Sequence, residues 1–178
     1  MLCLNKRQLK SLTDFCPDVK SVSGINFYGN GIEANNGRIA IRVFLKLDGI
    51  REEKVIIPRE ALLAAIGCMD KDDIAQITPD GIAINNIAIY FKEVDTPLFG
   101  NDISMIFSEY KSGVPNRFLM FVTASQNKLQ EALLAFGIKE EIQYGTKERN
   151  FYMSGEGDLY HAEVAMVGID PTEKKKDE

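Results

Sequence analysis

The same succession occurs three times along this chain: a short apolar strand, an amphipathic helix, then strands joined by tight turns. One such unit carries an apolar helix stripe and an apolar sheet face, and it cannot bury both by itself. Repetition side by side solves the problem by building antiparallel sheets with the helices on one face. The recurrence therefore predicts an α+β fold of three strand-helix-strands repeats.

In the first repeat, residues 1–4 form the strand and residues 5–16 the helix, with Leu9, Leu12 and Phe15 at helical spacing. Asn5 is placed to cap this helix and Pro17 to stop it. Strands follow at 23–28, 31–35 and 38–46. Asn35-Asn36-Gly37 tolerates the positive φ that a tight hairpin demands. Beyond it, Ile39, Ile41, Val43 and Leu45 alternate with Arg38, Ala40, Arg42 and Phe44. The second repeat opens at 53–57, places Pro58 in the first helical turn, and gives its helix the apolar face Leu62, Leu63 and Ile66. Its strands fall at 73–78, 81–85 and 87–92, with Pro79-Asp80-Gly81 as a turn. The third begins at 117–123. Ser125 is positioned to cap a helix reaching Phe136, with Leu129, Ala132, Leu133 and Phe136 on one stripe. Strands at 141–144, 149–153 and 159–167 complete it, the last hairpin turning at Gly155-Glu156-Gly157-Asp158.

Residues 97–116 lack periodicity and hold Gly100, Gly113, Pro97 and Pro115. The expected organisation is a two-repeat domain over 1–96, a linker at 97–116, a third repeat (half a domain) at 117–170, and a charged flexible tail at 171–178.

The chemistry of catalysis is sparse. His161 is the only histidine in 178 residues and has no carboxylate or cysteine at ligand spacing along the chain. Asp70, Asp72 and Asp73 are interrupted by Lys71 and lack the glycine and distal glutamate of a calcium loop. Gly29-Asn30-Gly31 is too short for a phosphate loop, and the surroundings of Ser154 do not form a nucleophile elbow. Cys3, Cys16 and Cys68 are scattered and read as small buried apolar residues of a reducing compartment. No enzyme activity, metal or cofactor is expected. The N-terminus lacks a signal-peptide core, and no apolar run approaches the ~20 residues of a membrane span, so a cytoplasmic protein with no membrane contact is expected. The net charge of −5 confines any nucleic-acid contact to a local basic face.

Several segments, in order, resemble bacterial DNA sliding clamps, the beta subunit of the replicative polymerase. Ala34-Asn35-Asn36-Gly37-Arg38-Ile39-Ala40 is similar to the A-T-D-G-x-R-L-A hairpin of the family's middle domain, one residue shorter. Val55-Ile56-Ile57-Pro58 matches its V-I-I-P junction, and Phe107-Ser108-Glu109-Tyr110 through Pro115 is similar in spacing to its F-P-D-Y-x-x-x-x-P linker. The resemblance runs from about Met1 to Ile169 and corresponds to the middle domain and the first half of the last. The chain carries half the repeats of a bacterial clamp subunit and lacks the stretch that completes the partner pocket. Ser108, Ser112 and Gly113 stand at pocket-lining positions and are smaller or less basic than in the family. These departures fit a divergent, shortened clamp of the kind a phage or mobile element encodes.

The resemblance implies a DNA-clamp-like fold and a topological function: a homo-oligomeric ring around duplex DNA that tethers a DNA polymerase or another replication protein. Helices line the channel in that family. The first helix carries Lys6, Arg7 and Lys10 against Asp14, whereas Arg59 with Glu60 and Lys128 with Glu131 leave the other two neutral. Lys6, Arg7 and Lys10 are thus the expected DNA contacts. Arg38, Ile39, Phe107 and Tyr110 are the expected partner-binding residues. The alternative is a clamp-fold protein-binding module that does not encircle DNA, which the neutral helices favour.

Overall fold

The computed structural model describes residues 1–16, 24–46, 54–91, 123–139, 142–147 and 150–167. The expected linker, the tail and the strand expected at the start of the third repeat lie outside these residues. The first repeat comprises β1 (Leu2–Asn5), α1 (Lys6–Thr13), β2 (Gly24–Phe27), β3 (Gly31–Asn35) and β4 (Ile39–Leu45). The second comprises β5 (Val55–Pro58), α2 (Arg59–Cys68), β6 (Ile74–Thr78), β7 (Gly81–Ile84) and β8 (Ile87–Tyr90). The third contributes α3 (Thr123–Ala135), β9 (Gln143–Lys147), β10 (Asn150–Glu156) and β11 (Tyr160–Val167).

The strands build a four-stranded sheet, β1-β6-β7-β8, and a seven-stranded sheet, β5-β2-β3-β4-β11-β10-β9. Every pairing is antiparallel among the described residues. The first two repeats exchange their opening strands. β1 pairs with β6 of the second repeat, Leu4 opposite Ala75, while β5 pairs with β2 of the first, Ile57 opposite Ile25. The third repeat joins the first edge to edge through β4 and β11, Ile41 opposite Val164.

Local chemistry explains where α1 begins. Asn5 Oδ1 accepts from the Gln8 amide at 2.9 Å, and Gln8 Oε1 accepts from the Asn5 amide at 2.9 Å. This reciprocal capping box satisfies two of the amides that a helix start leaves unpaired. Leu9, Leu12 and Phe15 are wholly buried. At the β3–β4 turn, Gly37 alone has positive φ, at 84°, and Asn36 Oδ1 accepts from the amides of Arg38 and Ile39 at 3.0 Å each. Asn36 Nδ2 also donates to the Asp14 carbonyl at 2.9 Å, fastening the hairpin to the end of α1. Gly137, at φ 79°, ends the third helix, where the Ile138 amide donates to the Leu133 carbonyl at 2.9 Å.

Several details differ from the sequence reading. Leu63 is 43% exposed, and Ala61, Leu62 and Ala65 form the buried side of α2. Pro58 is the N-cap itself, and Leu63 lies about 100° round the helix from Leu62, off the stripe that Ala61, Leu62 and Ala65 bury. Ser125 lies inside α3, which already begins at Thr123. β10 extends to Glu156, so the last turn is shifted to residues 157–159. Only Cys16 of the three cysteines is buried. Cys3 alternates outward between Leu2 and Leu4 on β1, and Cys68 is the last residue of α2.

The core is one cluster shared by the helices and the inward faces of both sheets. Phe136, 2% exposed, meets Tyr160 of β11 edge-on, with ring centroids 5.3 Å apart. Tyr160 in turn donates from its hydroxyl to the Cys3 carbonyl at 2.8 Å, so this contact reaches from the third repeat to β1. Phe136→Ala is expected to lower the unfolding free energy by about 3–5 kcal/mol, measured by urea denaturation; a loss under about 1 kcal/mol would show that the third repeat packs otherwise.

Candidate functional site

Two surfaces carry the residues singled out above: the exposed side of the helix layer and the seam where β4 meets β11. On α1, Arg7 and Lys10 are exposed. Lys6 is half-buried and donates from Nζ to the Met69 carbonyl at 2.5 Å, so its charge sits against the end of α2. Lys128 of α3 pairs with Asp14 at 2.8 Å. Glu60 of α2 and Glu131 of α3 are exposed. Positive charge on this layer is therefore concentrated at Arg7 and Lys10.

The seam has two faces of opposite chemistry. Inward, Ile39, Ile41 and Val43 of β4 face Met166, Val164 and Ala162 of β11. Outward, a row of register partners crosses five strands: Asn26, Glu33, Arg42, Glu163 and Ser154. Arg42 forms an ion pair with Glu163, whose side chain is 1% exposed, and the guanidinium also lies over the Phe44 ring, 5.7 Å from its centroid. Tyr152 donates from its hydroxyl to Glu163 Oε1 at 2.7 Å. Tyr28 does the same to Glu33 Oε2 at 2.7 Å. His161 bridges two carboxylates, with Nδ1 2.7 Å from Glu156 Oε1 and Nε2 3.5 Å from Glu163 Oε1. Lys46 closes the outer end on Glu156 Oε2 at 3.2 Å.

Burial of Glu163 would raise its pKa, but His161, Tyr152 and Arg42 outweigh that cost and bring it down to about 2. His161 is raised above its ordinary value, chiefly by its hydrogen bond to Glu163, against the opposing effect of burial. Burial raises the Tyr152 hydroxyl and keeps it a donor. The cluster is held by strong pairing and reads as a clasp between repeats. Breaking such a buried pair from one side leaves an uncompensated charge.

At one end of the seam lies a recess of about 210 Å³. Arg38 and Ile39 from the β3–β4 hairpin line it together with Asn150, Ala165 and Met166 from the third repeat. Arg38 is exposed and Ile39 only 3% exposed, and the Arg38 carbonyl accepts from the Val167 amide at 3.0 Å. The structure thus brings Arg38 and Ile39 to one recess between the first and third repeats. Phe107 and Tyr110 lie outside the described residues. Sequence reasoning missed Asn150, Ala165 and Met166, whose approach to Arg38 depends on a pairing between distant strands. The acidic trio is a turn brace: Asp73 accepts from the Asp70 amide at 2.7 Å and from Asn85 Nδ2 at 3.0 Å. Among the described residues no group of three or more histidine, cysteine or acidic side chains is arranged to hold a metal, and no helix is long and apolar enough to cross a membrane.

This arrangement of exchanged strands, antiparallel sheets and helices on one face has counterparts among solved structures. The beta subunit of DNA polymerase III from Thermotoga maritima superposes with a TM-score of 0.61 over 98% of this chain and 65% of its own, at 12% identity. A sliding clamp from Bartonella birtlesii gives a TM-score of 0.62 over 98% and 66%, at 8% identity. The Helicobacter pylori beta clamp bound to a DNA ligase peptide gives 0.56 over 98% and 68%, at 11% identity. The fold is that of a sliding clamp. The chain spans 65% of the Thermotoga subunit's length. No protein-family model and no curated protein matches the sequence.

The His161 geometry has a pH signature. A raised folded pKa contributes stability that is fully present below the unfolded value of about 6.5 and is lost as pH rises through the folded value. Unfolding free energy is expected to decline as pH increases above about 6.5, and His161→Gln is expected to remove that decline. Parallel wild-type and variant profiles from denaturant titrations would contradict the assignment. For the acid limb, Glu163 stabilises above its unfolded pKa and loses that contribution as pH falls towards about 2.

Proposed function

We propose that this chain is a non-enzymatic clamp that assembles with copies of itself, surrounds duplex DNA and tethers a polymerase or other replication protein. The clamp fold carries this reading, and the exposed Arg7 and Lys10 on α1 supply a place for phosphate contact. Contacts of this kind are loose, water-screened and independent of sequence, which permits sliding. Tethering raises the effective concentration of the attached enzyme without any bond being made or broken. Lys6, Arg7 and Lys10 are assigned to DNA, with Lys6 acting from beside the end of α2. Arg38 and Ile39, with the linker residues Phe107 and Tyr110, are assigned to the partner.

The recess at the seam supports the partner assignment by its place between two repeats, its apolar floor at Ile39 and Met166, and the exposed Arg38 at its rim. Such grooves take an apolar peptide anchor. A second reading, protein binding without DNA encirclement, is favoured by Glu60 and Glu131 on the exposed sides of α2 and α3.

Charge reversal of Lys6, Arg7 and Lys10 to Glu is expected to weaken duplex binding and flatten its salt dependence, as read by fluorescence anisotropy across a salt series. Equal retention of wild type and variant at low salt would turn preference to the second reading. For the partner groove, Arg38→Glu is expected to weaken a polymerase-derived clamp-binding peptide by about tenfold, the scale of losing one anchor. Calorimetry giving the wild-type Kd would place the groove elsewhere.

A further inference from the structure

The last strand of each repeat is an edge that the fold must deal with. In the first repeat that strand is β4, and β11 covers it while α3 packs against α1. In the second repeat the equivalent strand is β8. Among the described residues no strand pairs with its outer side. β8 and the residue after it read Ile87-Ala88-Ile89-Tyr90-Phe91, with no charge, proline or glycine to blunt the edge. Ile87 is 46% exposed and Tyr90 81% exposed. Leu63 of α2, the helix that packs on β8, is 43% exposed, and Gly67 beside it has open space where a side chain would stand. Among the described residues, a strand edge and a helix flank are thus bare together at the position where the first repeat accepts a neighbour.

We infer that β8 pairs antiparallel with β8 of a second copy of this chain across a two-fold axis through Ile89. The internal repeat argues for this occupant. β4 and β11 are both last strands, and their antiparallel union relates two repeats by a local two-fold. The same operation applied at β8 calls for another last strand, and a second β8 makes the symmetry exact. The register follows from the side chains. Inward-facing Ile89 meets Ile89 of the other copy, Ile87 meets Phe91, and on the outer face Tyr90 lies against the small Ala88. Alternation of the antiparallel ladder agrees: Ile84 opposite Ile87 closes a two-residue turn, so Ala88 and Tyr90 direct their backbone groups outward and bond each other across the axis. The product is a continuous eight-stranded sheet. This deepens the self-assembly proposed above by naming the edge and the register, and it is independent of DNA binding.

Light scattering over a concentration series of the full chain provides the test. Wild type is expected to approach twice the chain mass. Ala88→Glu/Tyr90→Glu sets like charges against each other in this register and is expected to give the single-chain mass with an unchanged far-UV circular dichroism spectrum. Ala88→Lys/Tyr90→Glu sets opposite charges together and is expected to restore the dimer. A wild-type protein that stays at single-chain mass would overturn both this inference and self-assembly. An oligomer whose mass the Glu/Glu variant does not change would overturn only the β8 interface. If the Glu/Glu variant loses its spectrum, Ala88→Lys/Tyr90→Lys, at the same two exposed residues, also sets like charges together and gives the same reading.

Discussion

The exchange of opening strands between the first two repeats is the constraint on which the rest of the architecture depends. β1 belongs to the second repeat's sheet and β5 to the first's, yet each runs without a loop into the helix of its own repeat. Asn5 is both the end of β1 and the cap of α1, and Pro58 stands likewise between β5 and α2. Each helix is therefore anchored at its start in one sheet and leads the chain on to the other. That geometry brings α1 and α2 together, and it leaves α1 central, with α3 on its remaining side.

The seam with the third repeat depends on both of its faces. Apolar pairing inward supplies the area, while the outward row from Asn26 through Glu33, Arg42 and Glu163 to Ser154 supplies the register. A slip of β11 by one residue would drive Glu163 into the core, turn Val164 out and leave Arg42 without its partner. Apolar pairing alone specifies position weakly, because isoleucine and valine tolerate many neighbours. The charged pair makes wrong positions costly, and the recess at the end of the seam inherits its shape from that choice.

How much of this was legible in the sequence follows from the range of each interaction. The capping of α1 by Asn5 depends on Gln8, three residues away, and the β3–β4 turn depends on Asn36 and Gly37; local chemistry made both readable. The stripe Leu129, Ala132, Leu133 and Phe136 is buried as its spacing implied. Leu63 stands next to Leu62 in an apolar run, and composition alone does not tell which of two adjacent leucines the sheets take; the small Ala61 and Ala65 complete the buried stripe instead. Arg38 and Ile39 could be proposed for the site only through family resemblance. Their neighbours Asn150, Ala165 and Met166 could not, since no local pattern declares that β4 will take β11. The alternation in β4 did place Arg42 outward, but its partner Glu163 lies 121 residues further on.

That separation sets an order of events in a chain made from its N-terminus. All strands of the first two repeats exist once Tyr90 has been made, and their exchange can then close. β4 must wait for Val167 before its own edge is covered. Until β11 is made, this edge of β4 has no partner strand among the described residues. Loop closure over so long a span is entropically costly and slow. Arg42, set among the apolar residues of β4, gives that waiting edge a charge that disfavours pairing with a stranger, so the same residue that later clasps Glu163 guards the strand beforehand.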